Sequence, residues 1–257
     1  MVTLGVDLAS QAQKTATCLI RWDGGSAHVE CLKIGLEDSA LLELFGRPDT
    51  GPDKIGIDAP FGWPGDFVEA IHKHWNSMHW PSVDCVDVSR LRLRRTDCAV
   101  KEKVHLTPLS VSADKIAMTA MRAARLLAKV HDDGEDVDRS GTTSRFVEVY
   151  PAAALKTWGL PFKSYKGKEA EKEDRRDKLV CDLARKAGLN LTDEVRSGCR
   201  ESDDKFDAFV AALVTRAAAT RCCEPIPGED RERAAKEGWI ALPQSDSLAR
   251  LGLRGLA

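Results

Sequence analysis

The sequence contains no uninterrupted apolar run long enough to span a bilayer, and no basic segment followed by a short apolar one near its start. It also lacks G-x-x-x-x-G-K-[ST] and G-x-G-x-x-G, the usual phosphate-binding loops of nucleotide-binding proteins. None of its eight cysteines forms a C-x-x-C pair. We therefore expect a cytoplasmic protein with reduced thiols, no membrane partner and none of the common nucleotide-binding loops.

Neither sign of charge dominates the chain, since 40 acidic residues stand against 38 basic ones and the formal net charge is −2. This balance argues against a generally basic nucleic-acid-binding surface but allows a local basic groove. A chain of 257 residues, 43% of them hydrophobic, is long enough for one large α/β core. We predict a single domain over residues 1–257.

The apolar periodicity predicts a mixed sheet with helices on its faces. Alternating or β-branched segments predict strands at 4–8, 15–22, 27–34, 55–58, 145–151 and 237–242. Helical spacing and glycine stop signals predict helices at 37–46, 110–130, 169–188 and 202–221. The stretch 61–107, rich in Trp, His and Arg, predicts an irregular insertion that faces the substrate.

Two predicted strands end in the same pattern, LGVD at 4–7 and IGID at 55–58. In each, a glycine precedes the aspartate by two residues and so lies on the same face, where it lets a helix or ligand approach closely. Aspartate is disfavoured within strands, so Asp7 and Asp58 need a reason. The segment RFVEVYP adds a third candidate acid, Glu148; for each acid alone, a salt bridge is about as good an explanation as catalysis.

The last long helix carries two further acids on one face, Asp204 and Asp207, three residues apart. Asp207 lies in the second turn, beyond the region where the helix dipole favours negative charge. An unpaired carboxylate beside an apolar face is costly unless a cation neutralises it. If the strand and helix acids converge, they suit Mg²⁺ or Mn²⁺, and two such ions support phosphoryl transfer.

Basic residues form two candidate substrate contacts. In SRLRLRRTD, Arg90, Arg92 and Arg94 alternate and Arg95 follows, so an extended segment would present the first three along one edge to successive phosphates. In FKSYKGK, Lys166 belongs to a basic patch around an aromatic residue. A solvated charged surface explains either segment about as well.

The insertion also contains HKHWNSMHW, with three histidines and two tryptophans. The histidines lack the partners of a structural zinc site, so ordinary loop histidines are favoured. The tryptophans either stack on bases or cover the core. The residues concerned are His72, His74, His79, Trp75 and Trp80.

The motifs GVDLAS, IGIDAPFGWP, RRTD, VEVYPAAAL, KSYKG, DDKFDAFVAALVTRA and EGWIALP, in this order, resemble the family catalogued as domain of unknown function 429. Its members are regarded as predicted nucleases of the ribonuclease-H-like superfamily. The resemblance implies a five-stranded mixed sheet of order 3-2-1-4-5, flanked by helices and with an insertion after strand 4. It implies metal ligands at Asp7, Asp58 and Asp207 and an auxiliary catalytic acid at Asp204, and it places Glu148 at a motif position.

The resulting hypothesis is a metal-dependent phosphodiester hydrolase, a nuclease acting on DNA or RNA by two-metal-ion catalysis with Mg²⁺ or Mn²⁺. One alternative is a non-catalytic module that binds nucleic acid or protein on the same fold. Another is a phosphotransferase related to actin-like ATPases, which would require a second sheet domain with its own phosphate loop.

Overall fold

The structure, a computed structural model, describes residues 1–24, 26–76, 78, 80, 87–114 and 116–252. Its strands are β1 (Val2–Asp7), β2 (Ala16–Asp23), β3 (Ser26–Ile34), β4 (Lys54–Asp58), β5 (Phe146–Glu148) and β6 (Leu189–Asn190). Its α-helices are α1 (Asp38–Phe45), α2 (Gly65–Trp75), α3 (Val88–Arg92), α4 (Arg95–Val104), α5 (Ala117–Asp132), α6 (Pro151–Thr157), α7 (Ala170–Ala187), α8 (Asp193–Glu201), α9 (Asp203–Ala219) and α10 (Arg231–Glu237).

The strands form one mixed sheet in the order β5-β4-β1-β2-β3-β6. β1, β2 and β3 are antiparallel neighbours, while β4 runs parallel to β1, β5 parallel to β4, and β6 parallel to β3. The predicted α/β sheet flanked by helices is confirmed, but the count of five strands that the family resemblance implies is not, because the sheet has six. β6 is two residues long, too short for any periodicity to reveal it, and the segment 237–242 contributes a bridge from Ile240 to Glu148 instead of a strand.

Helices cover both faces of the sheet. The face formed by Leu4, Val6, Ile55 and Ile57 packs against α1 and α5. The opposite face packs against α9, behind which α6, α7 and α8 complete a second apolar cluster. The four predicted helices correspond to α1, α5, α7 and α9, although α5 starts at Ala117 and not at residue 110.

The prediction that residues 61–107 are irregular is wrong, since α2, α3 and α4 all lie within them. α4 packs into the molecule through Val100 and Val104, which share an apolar cluster with Ala153, Ile240 and Leu242. The high content of Arg, His and Trp hid helices whose apolar faces are short. Positions 77, 79 and 81–86 of this segment, including His79, lie outside the described residues.

Two glycines allow α9 to lie directly on the sheet. A Cβ added to Gly5 would stand 2.2 Å from the backbone nitrogen of Ala212, and one added to Gly56 would stand 2.0 Å from Oγ1 of Thr215. A side chain at either position would overlap with α9 and push it away from the sheet. The predicted close approach at the two glycines is therefore confirmed, and α9 is the element that makes it.

Candidate metal centre

Three carboxylates meet where β1 and β4 end. Asp7 and Asp58 are the last residues of these adjacent parallel strands and lie directly opposite each other in the register. Asp207, in the second turn of α9, faces them across the glycine-lined contact. One oxygen from each of the three lies within 4.8 Å of the others. The expected convergence of the strand and helix acids is thus observed.

Asp207 is 1% exposed, and both of its oxygens have partners. Nζ of Lys166 lies 2.6 Å from Oδ2, and the hydroxyl of Tyr165 donates to Oδ1 at 2.9 Å. The lysine side chain is 62% exposed, so its stem runs along the surface while its ammonium reaches the carboxylates. An ammonium therefore supplies the neutralising charge that the buried Asp207 requires.

A buried arginine holds the loop that carries Tyr165 and Lys166. Arg176 of α7 is fully buried and donates to the backbone carbonyls of Tyr165 and Gly167, and also to those of Cys199 and Arg200 at the end of α8. The amide of Gly167 donates to Asp203 at the start of α9, at 2.9 Å. The loop is thus tied to α7, to the end of α8 through Arg176, and to the start of α9 through Asp203. These contacts fix the position of Tyr165 and keep Lys166 within reach of Asp207.

Burial and mutual repulsion disfavour ionisation of the three acids. Burial, followed by the charges of Asp207 and Asp58, holds the pKa of Asp7 well above its usual range. Burial raises the pKa of Asp58 to about 8, even though Lys166 opposes the shift. Burial also raises the pKa of Asp207 against the opposing effect of Lys166. Additional positive charge at this point would restore the ionised forms.

Asp204 stands beside this cluster and is not one of the three converging acids. It is half-buried, and its carboxylate makes no hydrogen bond or ion pair to the residues that the structure describes. Burial, together with the charges of Asp203 and Asp207, raises its pKa. It lies outside the group of three converging acids, and its role as an auxiliary acid stays a prediction.

Glu148 is not one of the three converging acids, and its catalytic role stays a prediction. It is 2% exposed and forms a two-pronged ion pair with Arg94, with N–O distances of 2.8 and 2.7 Å. It also accepts the backbone N–H of Phe61 at 3.0 Å. Both carboxylate oxygens are thereby occupied by structural partners.

Arg94 likewise cannot grip a phosphate, because its guanidinium is buried between Glu148 and Asp97. The predicted row of alternating arginines is wrong: Arg90 and Arg92 belong to α3, and the chain turns inward after it. Arg90 pairs with Asp66 at 2.7 Å, and Arg95 pairs with Asp230 at 2.9 Å. Each is partly exposed and already has an acidic partner.

Arg92 is exposed, and its guanidinium has no ion-pair partner among the described residues. Lys166 contacts Asp207, and its role in substrate binding stays a prediction. Trp75, 85% exposed, and Trp80, 44% exposed, do not cover the core.

The sequence did not indicate that two tyrosines belong to the site. Tyr165 donates a hydrogen bond to Asp207, and Tyr150 lies beside Asp58. Burial, followed by the charge of Asp58, raises the pKa of Tyr150 to about 12, so its hydroxyl remains protonated at neutral pH. Its place in the motif VEVYP, directly after β5, was the one available signal.

Comparisons with known proteins give one match. The family model described as Protein of unknown function (DUF429) matches residues 5–232. Searches of the curated proteins and of the solved structures return no significant match. Among the described residues, no helix is both long and apolar enough to cross a membrane.

Proposed function

This chain belongs to the DUF429 family, and from that premise we propose that it is a metal-dependent phosphodiester hydrolase of ribonuclease-H-like fold that acts on nucleic acid. The observation that carries the proposal is the convergence of Asp7, Asp58 and Asp207 at the ends of two parallel strands and one helix. The run β3-β2-β1-β4-β5 within the sheet supports the fold assignment, with β6 as an addition at the edge of β3.

The donor set fits a hard divalent cation. The three groups are carboxylates, the ligands that Mg²⁺ and Mn²⁺ favour, and their oxygens lie within 4.8 Å of one another. The ammonium of Lys166 already stands at this point as a cation held by Asp207, 2.6 Å away. A site that binds an ammonium in this way offers the same negative potential to a metal ion.

Bound Mg²⁺ or Mn²⁺ would supply Lewis-acid activation of water and of the phosphate at this site. The chain itself contributes Asp7, Asp58 and Asp207 as the holding groups. Tyr165 holds Asp207 in place through its hydrogen bond to Oδ1. Lys166, whose side chain is largely exposed, would contribute an ammonium that can pair with a phosphate oxygen in place of Asp207.

The test is a cleavage panel on labelled single-stranded, duplex, hybrid and branched nucleic acids, each with Mg²⁺, Mn²⁺ or chelator. We expect cleavage that chelator abolishes and that Asp7→Asn reduces by at least about 100-fold, because that variant removes one holding charge. Asp136→Asn, the same substitution at a fully exposed position, serves as the matched control. Circular dichroism confirms that both variants fold.

Cleavage that persists in Asp7→Asn would contradict the assignment. Metal-independent binding that is unaffected by this variant would favour the non-catalytic module instead. The phosphotransferase alternative has less support, because the described part of the chain forms one sheet and not two.

A further inference from the structure

A pocket of about 330 Å³ opens directly from the carboxylate cluster. Asp7, Asp58 and Lys166 line one end of it, and the paired Arg94 and Glu148 lie along its lining. Its remaining walls are largely apolar and include Pro60, Leu109, Ile116, Val149, Ala152 and Ile240. Leu109 is 58% exposed, as expected of a residue at the rim.

Two hydroxyls line this pocket without a hydrogen bond to any residue that the structure describes, those of Tyr150 and Thr119. The charged pair in the lining is different, because Arg94 and Glu148 satisfy each other and present no free group to a ligand. The pocket therefore offers apolar surface, two hydroxyl groups, and a charged end formed by carboxylates and an ammonium.

These properties restrict the ligand. A sugar buried here would leave most of its hydroxyls without partners, which is costly. A nucleobase has apolar faces and a few polar atoms at its edge, so two hydroxyls are enough to orient it. The volume lies at the lower end of small-ligand sites and suits one nucleotide unit. A base inside a duplex could enter such a pocket only after it left the stack.

We infer that this pocket receives one unpaired nucleotide, free or within a single strand, with its phosphate at the carboxylate end and its base between the apolar walls. The inference rests on the proposed function and adds a substrate class to it. It assigns Tyr150 as a substrate contact that donates a hydrogen bond from its hydroxyl. Duplex nucleic acid without unpaired positions is then a poor ligand.

The experiment measures fluorescence anisotropy with a fluorescein-labelled thymidine dodecamer in Ca²⁺, and gels of parallel reactions in Mg²⁺ and in Mn²⁺ detect cleavage. The probes are the single strand, the same strand in a blunt duplex, and thymidine 5′-monophosphate as competitor. Three variants are compared with the unmodified chain. Ala152→Leu narrows the pocket, and Tyr150→Phe removes one of its two hydroxyl groups. Ala170→Leu is the matched control, because it makes the same alanine-to-leucine substitution at the exposed start of α7.

We expect the single strand to bind at least about tenfold more tightly than the duplex, because pairing keeps the base out of the pocket. Ala152→Leu should weaken this binding by about tenfold or more through steric overlap, while Ala170→Leu leaves it unchanged. Tyr150→Phe should weaken it by roughly two- to tenfold. Displacement by the monophosphate would show that free nucleotides also bind; its absence would assign the pocket to strands.

Equal affinity for single strand and duplex, with no effect of Ala152→Leu, would overturn the inference, as would failure of every probe to bind. If Ala152→Leu does not fold, Tyr150→Phe decides. Pocket-dependent binding without cleavage would refute the proposed function and leave the pocket assignment standing. Metal-dependent cleavage that neither Ala152→Leu nor Tyr150→Phe affects would refute the pocket assignment and leave the proposed function standing.

Discussion

Replacing Lys166 by methionine tests whether its ammonium neutralises the carboxylate cluster. The substitution keeps most of the aliphatic stem and removes the charge that lies 2.6 Å from Asp207. Without it, Asp207 stays buried beside Asp7 and Asp58 with Tyr165 as its remaining hydrogen-bond partner. We expect the variant to be less stable than the unmodified chain in chelator and to respond more strongly to a divalent cation.

The magnitude follows from two limits. Breaking a fully buried ion pair costs about 3–5 kcal/mol, whereas an exposed pair contributes about 0.2–1 kcal/mol. Lys166 is 62% exposed and Asp207 is 1% exposed, so the pair lies between these limits. We expect a loss of about 1–3 kcal/mol, since a raised carboxyl pKa lets the cluster take up a proton and limits the cost. For a chain of this size that corresponds to a fall in Tm of roughly 2–12 °C.

The assay is thermal unfolding followed by circular dichroism, in chelator and across a Mn²⁺ titration. Lys168→Met is the matched control, because Lys168 is exposed, lies two residues away and has no ion pair among the residues described. In the Lys166 variant, Mn²⁺ no longer competes with an ammonium, so its Kd should fall by about tenfold and saturating Mn²⁺ should add about 1.4 kcal/mol more stabilisation than in the unmodified chain.

Two results would refute this reasoning. Equal Tm values for Lys166→Met and Lys168→Met in chelator would mean that the ammonium does not stabilise the cluster. Equal or weaker Mn²⁺ stabilisation in Lys166→Met would mean that the ammonium and the metal do not share a position.

Three further predictions concern the same site and the fold around it. In chelator, Asp58 has a pKa of about 8 in the folded chain and 3.8 in the unfolded chain, so between these pH values only the folded chain keeps the proton. The unfolding free energy should therefore fall as pH rises from 3.8 to about 8, and it should fall less steeply in Mn²⁺. An unfolding free energy that does not change with pH over this range would contradict the raised pKa. Gly5→Ala should lower the unfolding free energy by about 2–4 kcal/mol, because the added methyl group forces α9 away from the sheet. Gly228→Ala places its methyl group in open space and should change the unfolding free energy by about 0.5 kcal/mol or less. Equal losses for the two variants in denaturant titrations would refute the close contact between Gly5 and α9. Arg94→Met should cost about 3–5 kcal/mol, because it leaves the buried carboxylates of Glu148 and Asp97 without their guanidinium. Adding Glu148→Met should recover part of this loss, since Asp97 then remains as the unpaired acid of the pair. A stable Arg94→Met that instead loses oligonucleotide binding would restore the substrate-contact hypothesis.

The sequence reasoning succeeded where one local pattern had one physical explanation. A glycine two residues before an aspartate, at the end of an apolar strand, requires both a close neighbour and a partner for the charge. Asp207 beyond the first turn of its helix makes the same demand. These patterns singled out Asp7, Asp58 and Asp207, the family resemblance implied them as one set of metal ligands, and the structure brings them together.

It failed where the partner of a charged residue is distant in sequence. Nothing around Arg94 indicates that Glu148, 54 positions away, accepts its guanidinium in the interior. Alternating arginines therefore resembled a phosphate-binding edge, although the chain is helical over Arg90 and Arg92. The same limitation hid the role of Lys166, whose partner lies 41 positions later.

The sequence by itself determined the strands β1 to β5, the helices α1, α5, α7 and α9, the glycines that admit a helix to the sheet, and the three acids that need a cation, because each depends on residue type and local spacing. Only the tertiary structure decided which charges neutralise one another. Ion pairs form between whichever groups the packed elements bring within about 4 Å, and that distance is set by the sheet order and the helix docking, not by separation along the chain. For that reason Lys166 lies with the carboxylates, and Glu148 and Arg94 lie with each other.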